Sequence, residues 1–243
     1  MLKELAEIIK NWLSGEKPVL IPIPVRNDKR FTSLMLLLVM LLFAIPAAQA
    51  SVKSSESDTK TILFMGDSLT AGYGIDENQA YPALIQNKLN ELNLNSDWNV
   101  INAGLSGETS SGGLRRVNWL LRSDVDVLVL ALGANDGLRG VDLTVTESNL
   151  QSIIDKVREK NPEVKIFIAG MQVPPNLGNA YTDRFRDLFP RLASANNAVL
   201  IPFLLEDVAG ISELNLPDGI HPTPEGHVIM AETVWTYLKS AVE

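Results

Sequence analysis

The chain has 243 residues, 46% of them hydrophobic and 21% charged, with a formal net charge of −8. That length and hydrophobicity suit one globular domain with a full core and exclude a disordered chain. The sequence contains no cysteine, which excludes any disulfide and a lipid-modified N-terminal cysteine.

In chain order, residues 34–48 are apolar throughout, Lys29 and Arg30 precede them, and Ala48-Gln49-Ala50 follows. A basic flank, a short apolar core and small residues at the two positions a signal peptidase reads predict a secretory signal cleaved after Ala50. The run is shorter than the roughly 20 residues of a spanning helix, and Pro46 interrupts its end. An uncleaved membrane anchor is the alternative. Residues 1–30 are more than a signal's basic flank needs. Leu2, Leu5, Ile8, Ile9, Trp12 and Leu13 follow a helical stripe that Pro18, Pro22 and Pro24 break. A start downstream of Met1 explains this best, and an extension lying on the membrane surface is the second reading. Six of the 21 Lys and Arg and four of the 29 Asp and Glu precede Ser51, so the remainder carries a net −10. This argues against nucleic acid and anionic lipid as partners.

Residues 51–60 read as a polar linker and 61–243 as one domain. Strands are predicted at 61–66, 98–102, 125–132, 164–170 and 198–202. Helical patterns lie near 80–94, 110–122, 144–160, 181–195 and 223–240. The stretch Val127-Leu128-Val129-Leu130-Ala131-Leu132 is continuously apolar, as a strand covered on both faces requires. Asn161-Pro162 ends the third helix. Strands alternating with helices imply an α/β fold, a three-layer α/β/α sandwich around a five-stranded parallel sheet.

In such sheets ligands bind beyond the carboxyl ends of the strands. The first three strands end in Gly66-Asp67-Ser68-Leu69, in the turn from Asn102 to Thr109, and in Gly133-Ala134-Asn135-Asp136-Gly137. A fourth turn, Asp218-Gly219-Ile220-His221-Pro222, precedes the last helix. A serine hydroxyl is a weak nucleophile until a base takes its proton. The chain has two histidines, His221 and His227. His221 lies in a turn three residues after Asp218, a spacing that lets the carboxylate hold one ring nitrogen while the other faces out. His227 lies within the last helix and reads as an ordinary surface or half-buried residue. Gly107 can bring its N–H close to a developing oxyanion, and Asn135 can present its amide. Each of these, taken singly, is equally an ordinary turn residue. Asp67, Asp136 and Glu108 read as turn and helix-cap carboxylates.

The glycine-rich turns match neither phosphate-binding pattern, and there is no G-x-S-x-G elbow. With no cysteine and two histidines six residues apart, the sequence offers no dedicated transition-metal site. Residues 138–145 and 172–181 can wall an acyl groove, with Leu138 and Leu177 as candidate lining, or can be plain connecting loops.

The four turns in this order resemble the sequence blocks of the GDSL, or SGNH, hydrolases. More narrowly, the stretches from Gly66 to Tyr73, Leu132 to Gly140 and Asp218 to Pro222 are similar to the bacterial periplasmic arylesterases of the thioesterase I/protease I/lysophospholipase L1 group. The resemblance covers Thr61 to about Leu238. It implies a flavodoxin-like sheet, Ser68 as nucleophile, His221 as base then acid, and Asp218 as its orienter. It also implies an oxyanion hole made by the N–H groups of Ser68 and Gly107 and the side chain of Asn135. It implies hydrolysis of carboxylic esters and thioesters, among them aryl esters, acyl-CoA and lysophospholipids, by a periplasmic or secreted monomer with no cofactor. Ala134 stands where close relatives carry a second glycine, which narrows the backbone freedom beside Asn135. A carbohydrate O-acetylesterase and a non-catalytic binding module on the same fold are the alternative classes.

Overall fold

The computed structural model describes residues 59–94 and 97–242. The expected signal, the extension before it and most of the linker lie outside these residues. Among the described residues no helix is long and apolar enough to cross a membrane.

Five strands form one parallel sheet: β1 (Lys60–Gly66), β2 (Trp98–Gly104), β3 (Val127–Ala131), β4 (Lys165–Ala169) and β5 (Val199–Ile201). Their order across the sheet is β2-β1-β3-β4-β5. The longer helices are α2 (Tyr81–Glu91), α3 (Ser110–Leu120), α5 (Leu143–Lys160), α6 (Asn179–Ala195) and α7 (Pro224–Val242). Two short ones, α1 (Ser68–Ala71) and α4 (Ala134–Leu138), follow β1 and β3 directly. The sheet has helices on both sides: α2 packs against α7, while α3 packs against α5 and α5 against α6. Every predicted strand and long helix is present, so the three-layer α/β sandwich stands as expected.

The central strands explain why the sheet forms. Ile62 to Met65 of β1, the whole of β3 and Leu132 just after it are all buried. Alternate side chains of a strand point to opposite faces, so apolar residues at every position need cover on both sides. The helices supply it through Ile85 and Leu89 of α2, Ile153 and Ile154 of α5, and Val234 and Leu238 of α7, all buried. Full burial of one such side chain stabilises the fold by about 1.5–3 kcal/mol, and truncating it to Ala costs about 2–5 kcal/mol.

Two details position the functional end. In the strand order, β1 leads to β2 on one side and the chain then returns to β3 on the other. The crevice beyond β1 and β3 is therefore the topological switch point where ligands bind in such sheets. Register is the second detail: Gly66 pairs with Gly104 on one side and with Ala131 on the other. The turns after β1, β2 and β3 therefore leave the sheet at one level. Gly104 has no room for a side chain, since a Cβ there would lie 2.2 Å from Ala71 N. Its bare backbone lets α1 sit directly on the strand ends.

Candidate active site

Ser68 is the first residue of α1, and Asp67 caps that helix by accepting Leu69 N–H at Oδ1 over 3.0 Å. A first-turn amide has no intrahelical partner, so the N–H of Ser68 sits at a point suited to an anion. The turn puts the hydroxyl at the carboxyl end of a central strand.

The partner residues arrive from the loop before α7. Leu216 N–H donates to His221 O at 2.7 Å, and Asn215 and Pro222 form an isolated antiparallel bridge. Asn215 Nδ2 donates to the carbonyls of Val208 and Ile211, which anchors the base of this loop. At its tip, Asp218 Oδ1 accepts the N–H groups of Ile220 and His221 at 2.9 and 3.0 Å. That turn aims Asp218 Oδ2 at His221 Nδ1, 2.8 Å away. His221 Nε2 lies 3.0 Å from Ser68 Oγ. The Tyr73 ring packs on the imidazole with centroids 4.5 Å apart.

The carboxylates of the site have opposite electrostatics. The backbone N–H of His221, its side chain and the N–H of Ile220 hold Asp218 down to about 2, so it stays ionised. Burial pushes Asp67 up to about 6, against the pull of the Leu69 N–H and the Asn135 amide.

Gly107 and Asn135 stand on the same rim. Gly107 lies in the turn after β2 with φ +76°. Asn135 is the second residue of α4, and its Nδ2 donates to Asp67 Oδ2 at 3.4 Å. Arg139 links the two, as its Nη2 donates to Gly107 O at 3.0 Å and to Asn135 Oδ1 at 3.2 Å. The concern over Ala134 does not materialise. The left-handed backbone falls on Gly133, at φ +122°, while Ala134 already belongs to α4.

Leu138 and Leu177 are both exposed, at 45% and 43%. Leu177 ends a short 3₁₀ turn (Pro175–Leu177) and lies beside Gly140, whose missing Cβ would sit 3.5 Å from Leu177 Cδ1. A cavity of about 490 Å³ opens at the other end of the sheet, beneath β4 and β5. Two cations on its lining, Arg158 and Lys165, each donate to a backbone carbonyl, of Asn196 and Ala241. Among the described residues no group of three or more His, Asp or Glu is arranged to hold a metal.

The three carboxylates read as caps divide. Asp67 does cap α1. Asp136 is buried and accepts Ser110 N–H and Ser110 Oγ–H at 2.8 and 2.6 Å, so it caps the distant α3. Glu108 instead pairs with Arg116, whose guanidinium also donates to Ala103 O at 2.6 Å. His227 is more deeply buried than expected, 1% exposed, with Nδ1 accepting Tyr81 N–H at 3.2 Å. Its place could have been read from the sequence. Met230, Ala231, Val234 and Leu238 of α7 are buried and follow it at helical spacing, so His227 shares their inward stripe. Arg139, four residues after Asn135, and Tyr73 lie inside the motif blocks but carry no role that the sequence alone assigns.

Residues 64–229 match the GDSL-like Lipase/Acylhydrolase family. The chain belongs to this family. A relative named Arylesterase, from Vibrio mimicus, is 39% identical over 82% of this chain and 94% of its own. Thioesterase 1/protease 1/lysophospholipase L1 of Escherichia coli K12 is 35% identical over 85% of this chain and 91% of its own. The crystal structure of TesA, 37% identical, superposes with a TM-score of 0.70 over 74% of this chain and 99% of that one. The GDSL resemblance of the four turns is thus borne out along nearly the whole described domain. The chain is an SGNH hydrolase, hence an enzyme, and the comparisons lend nothing to the carbohydrate O-acetylesterase alternative.

Proposed function

We propose that the protein is a serine esterase and thioesterase that transfers an acyl group to water in two steps. Ser68 Oγ attacks the acyl carbonyl while His221 Nε2 accepts its proton. Asp218 holds the imidazole in the tautomer with Nδ1 protonated and stabilises the imidazolium. The oxyanion takes hydrogen bonds from the N–H groups of Ser68 and Gly107 and from the Asn135 amide. The tetrahedral adduct collapses, and the alcohol or thiol leaves with the proton from His221. Water then attacks the acyl-serine, again losing a proton to His221, and the acid departs as Ser68 recovers its own.

The observation that carries this reading is the unbroken chain of contacts from Ser68 Oγ through His221 to Asp218, 3.0 and 2.8 Å in length. The names of the relatives supply the substrate class: aryl esters, acyl thioesters and lysophospholipids, with Leu138 and Leu177 offered to the acyl chain. Export follows from the basic flank, apolar run and Ala48-Gln49-Ala50 end, with a mature protein beginning at Ser51. The test is Ser68→Ala in purified mature protein with a chromogenic short-chain ester. Turnover and labelling by a fluorophosphonate should both vanish, and retention of most activity would refute the assignment.

A further inference from the structure

Arg139 belongs to no part of the Ser68–His221–Asp218 chain, yet its guanidinium ties together two of the three proposed oxyanion donors. It is the C-cap residue of α4. Residues four apart on a helix are neighbours, so the side chain can fold back one turn onto Asn135. There Nη2 donates to Asn135 Oδ1 at 3.2 Å and across the rim to Gly107 O at 3.0 Å. At the opposite end of the amide, Asn135 Nδ2 faces Asp67 Oδ2 at 3.4 Å, and Asp67 is held in turn by Leu69 N–H.

A side-chain amide can sit two ways, because its oxygen accepts and its nitrogen donates two hydrogens. Turned over, Asn135 would aim an oxygen at the developing anion and repel it. A cation at one end and a carboxylate at the other remove that choice: oxygen faces Arg139 and nitrogen faces Asp67. One Nδ2 hydrogen goes to Asp67, which leaves the second for substrate. A cation on the amide oxygen also withdraws density from the nitrogen and strengthens the remaining donor. The other tie steadies the turn in which Gly107 holds φ +76°.

We propose that Arg139 is the positioning residue of the oxyanion hole, fixing the orientation of the Asn135 amide and locking it to the Gly107 turn. The assignment rests on the serine-hydrolase reading above. Arg139 is exposed, so its removal leaves the core intact, and the effect should fall on the geometry of the transition state.

Steady-state kinetics on a short-chain p-nitrophenyl ester tests this, with the mature enzyme and the variants Arg139→Ala, Arg139→Lys, Asn135→Ala and the Arg139→Ala/Asn135→Ala double. Arg139→Ala should lower kcat about tenfold with KM changed less than about twofold and the melting temperature unaltered. Asn135→Ala alone should lower kcat about 10²–10³-fold. In that background Arg139→Ala should cost no more than about threefold further, because the amide it orients is gone. Both bonds leave the single nitrogen Nη2, so Arg139→Lys, whose ammonium carries three donors on one nitrogen, should recover part of the loss. Unchanged kcat in Arg139→Ala, or equal losses in both backgrounds, would overturn the assignment and leave the serine mechanism standing. An Asn135→Ala enzyme with unchanged kcat would instead sink the oxyanion hole on which it rests.

Discussion

Asp67 precedes Ser68 in the chain, yet its carboxylate faces Asn135, 68 positions further on, at 3.4 Å. The carboxylate beside Ser68 therefore faces the proposed oxyanion side of the site, and its burial destabilises the charged form. Its pKa rises from 3.8 to about 6 because burial penalises the charged form. The native state therefore keeps this proton more tightly than the unfolded chain between those two values. Stability contributed by the proton is lost as pH rises through that window and stays lost above it. The ceiling is about 3 kcal/mol. Asp67→Asn keeps an oxygen for the Leu69 N–H and carries no charge. It should be more stable than the parent by about 1–3 kcal/mol at pH 7, with the gain shrinking towards pH 4. Its kcat should fall about tenfold as Asn135 loses its anionic partner. Urea melts at the two pH values read the first effect, and a gain independent of pH would contradict it.

His227 titrates with the opposite sign. Burial, then the nearby charge of His221, lower its pKa from 6.5 to about 4. Its neutral ring accepts the Tyr81 N–H, and a proton on Nδ1 would break that bond. The unfolded chain therefore binds the extra proton first, and stability falls as pH drops from about 6.5 through about 4, by at most about 3 kcal/mol. In the overlapping window His227 and Asp67 partly cancel. His227→Asn should remove the acid-side loss and expose the opposite slope of Asp67, while Asp67→Asn should steepen it. Parallel stability–pH curves for the parent and both variants would rule this out.

Much of the architecture was legible because it rests on local patterns. Five apolar residues in β3 announce a strand buried on both faces, and Asp218-x-x-His221 announces a carboxylate–imidazole pair within one turn. The short helices α1 and α4 were not legible, since four or five residues carry no helical period. Nor was the partner of Asp136, because a carboxylate that caps a helix beginning 26 residues earlier leaves no local mark. His227 and Arg139 differ from these, for both obey the i, i+3, i+4 geometry of a helix. A histidine can face either way, so the apolar stripe at Met230, Ala231, Val234 and Leu238 is the signal that places His227 inward. The step from Asn135 to Arg139 is visible only once the turn after β3 is read as the start of a helix.

Asp218 holds the His221 ring nitrogen at 2.8 Å from an exposed position. Its hydrogen bonds from the His221 backbone, the His221 ring and the Ile220 backbone keep its carboxyl near 2. Titration of Asp218 should therefore leave no mark on activity above about pH 3, and any acid limb belongs to other groups. Asp218→Asn keeps its oxygen on the Ile220 and His221 N–H groups and so turns an NH₂ donor towards His221 Nδ1, which favours the wrong imidazole tautomer. A buried orienter replaced this way costs about 10⁴-fold in kcat. With Asp218 open to solvent, water can partly replace it, so a loss of about 10²–10³-fold is expected. Stopped assays of kcat from pH 5 to 9 provide the check. A loss under tenfold would remove Asp218 from the mechanism.

Leu138 and Leu177 offer a direct reading of substrate length. They are exposed at 45% and 43%, at the end of α4 beyond β3 and at the end of the 3₁₀ turn beyond β4. An acyl chain leaving the oxyanion site across this surface would cover them. Covering half of a leucine is worth roughly 1 kcal/mol, about fivefold in kcat/KM. An acetyl group is too short to reach them. Leu138→Asn and Leu177→Asn should thus lower kcat/KM for a dodecanoyl ester about fivefold each and leave acetyl ester hydrolysis within about twofold. The double variant should approach the product of the two, since each touches a different part of the chain. A series of p-nitrophenyl esters from two to sixteen carbons decides the matter: equal losses at every length would place the acyl chain elsewhere on the rim.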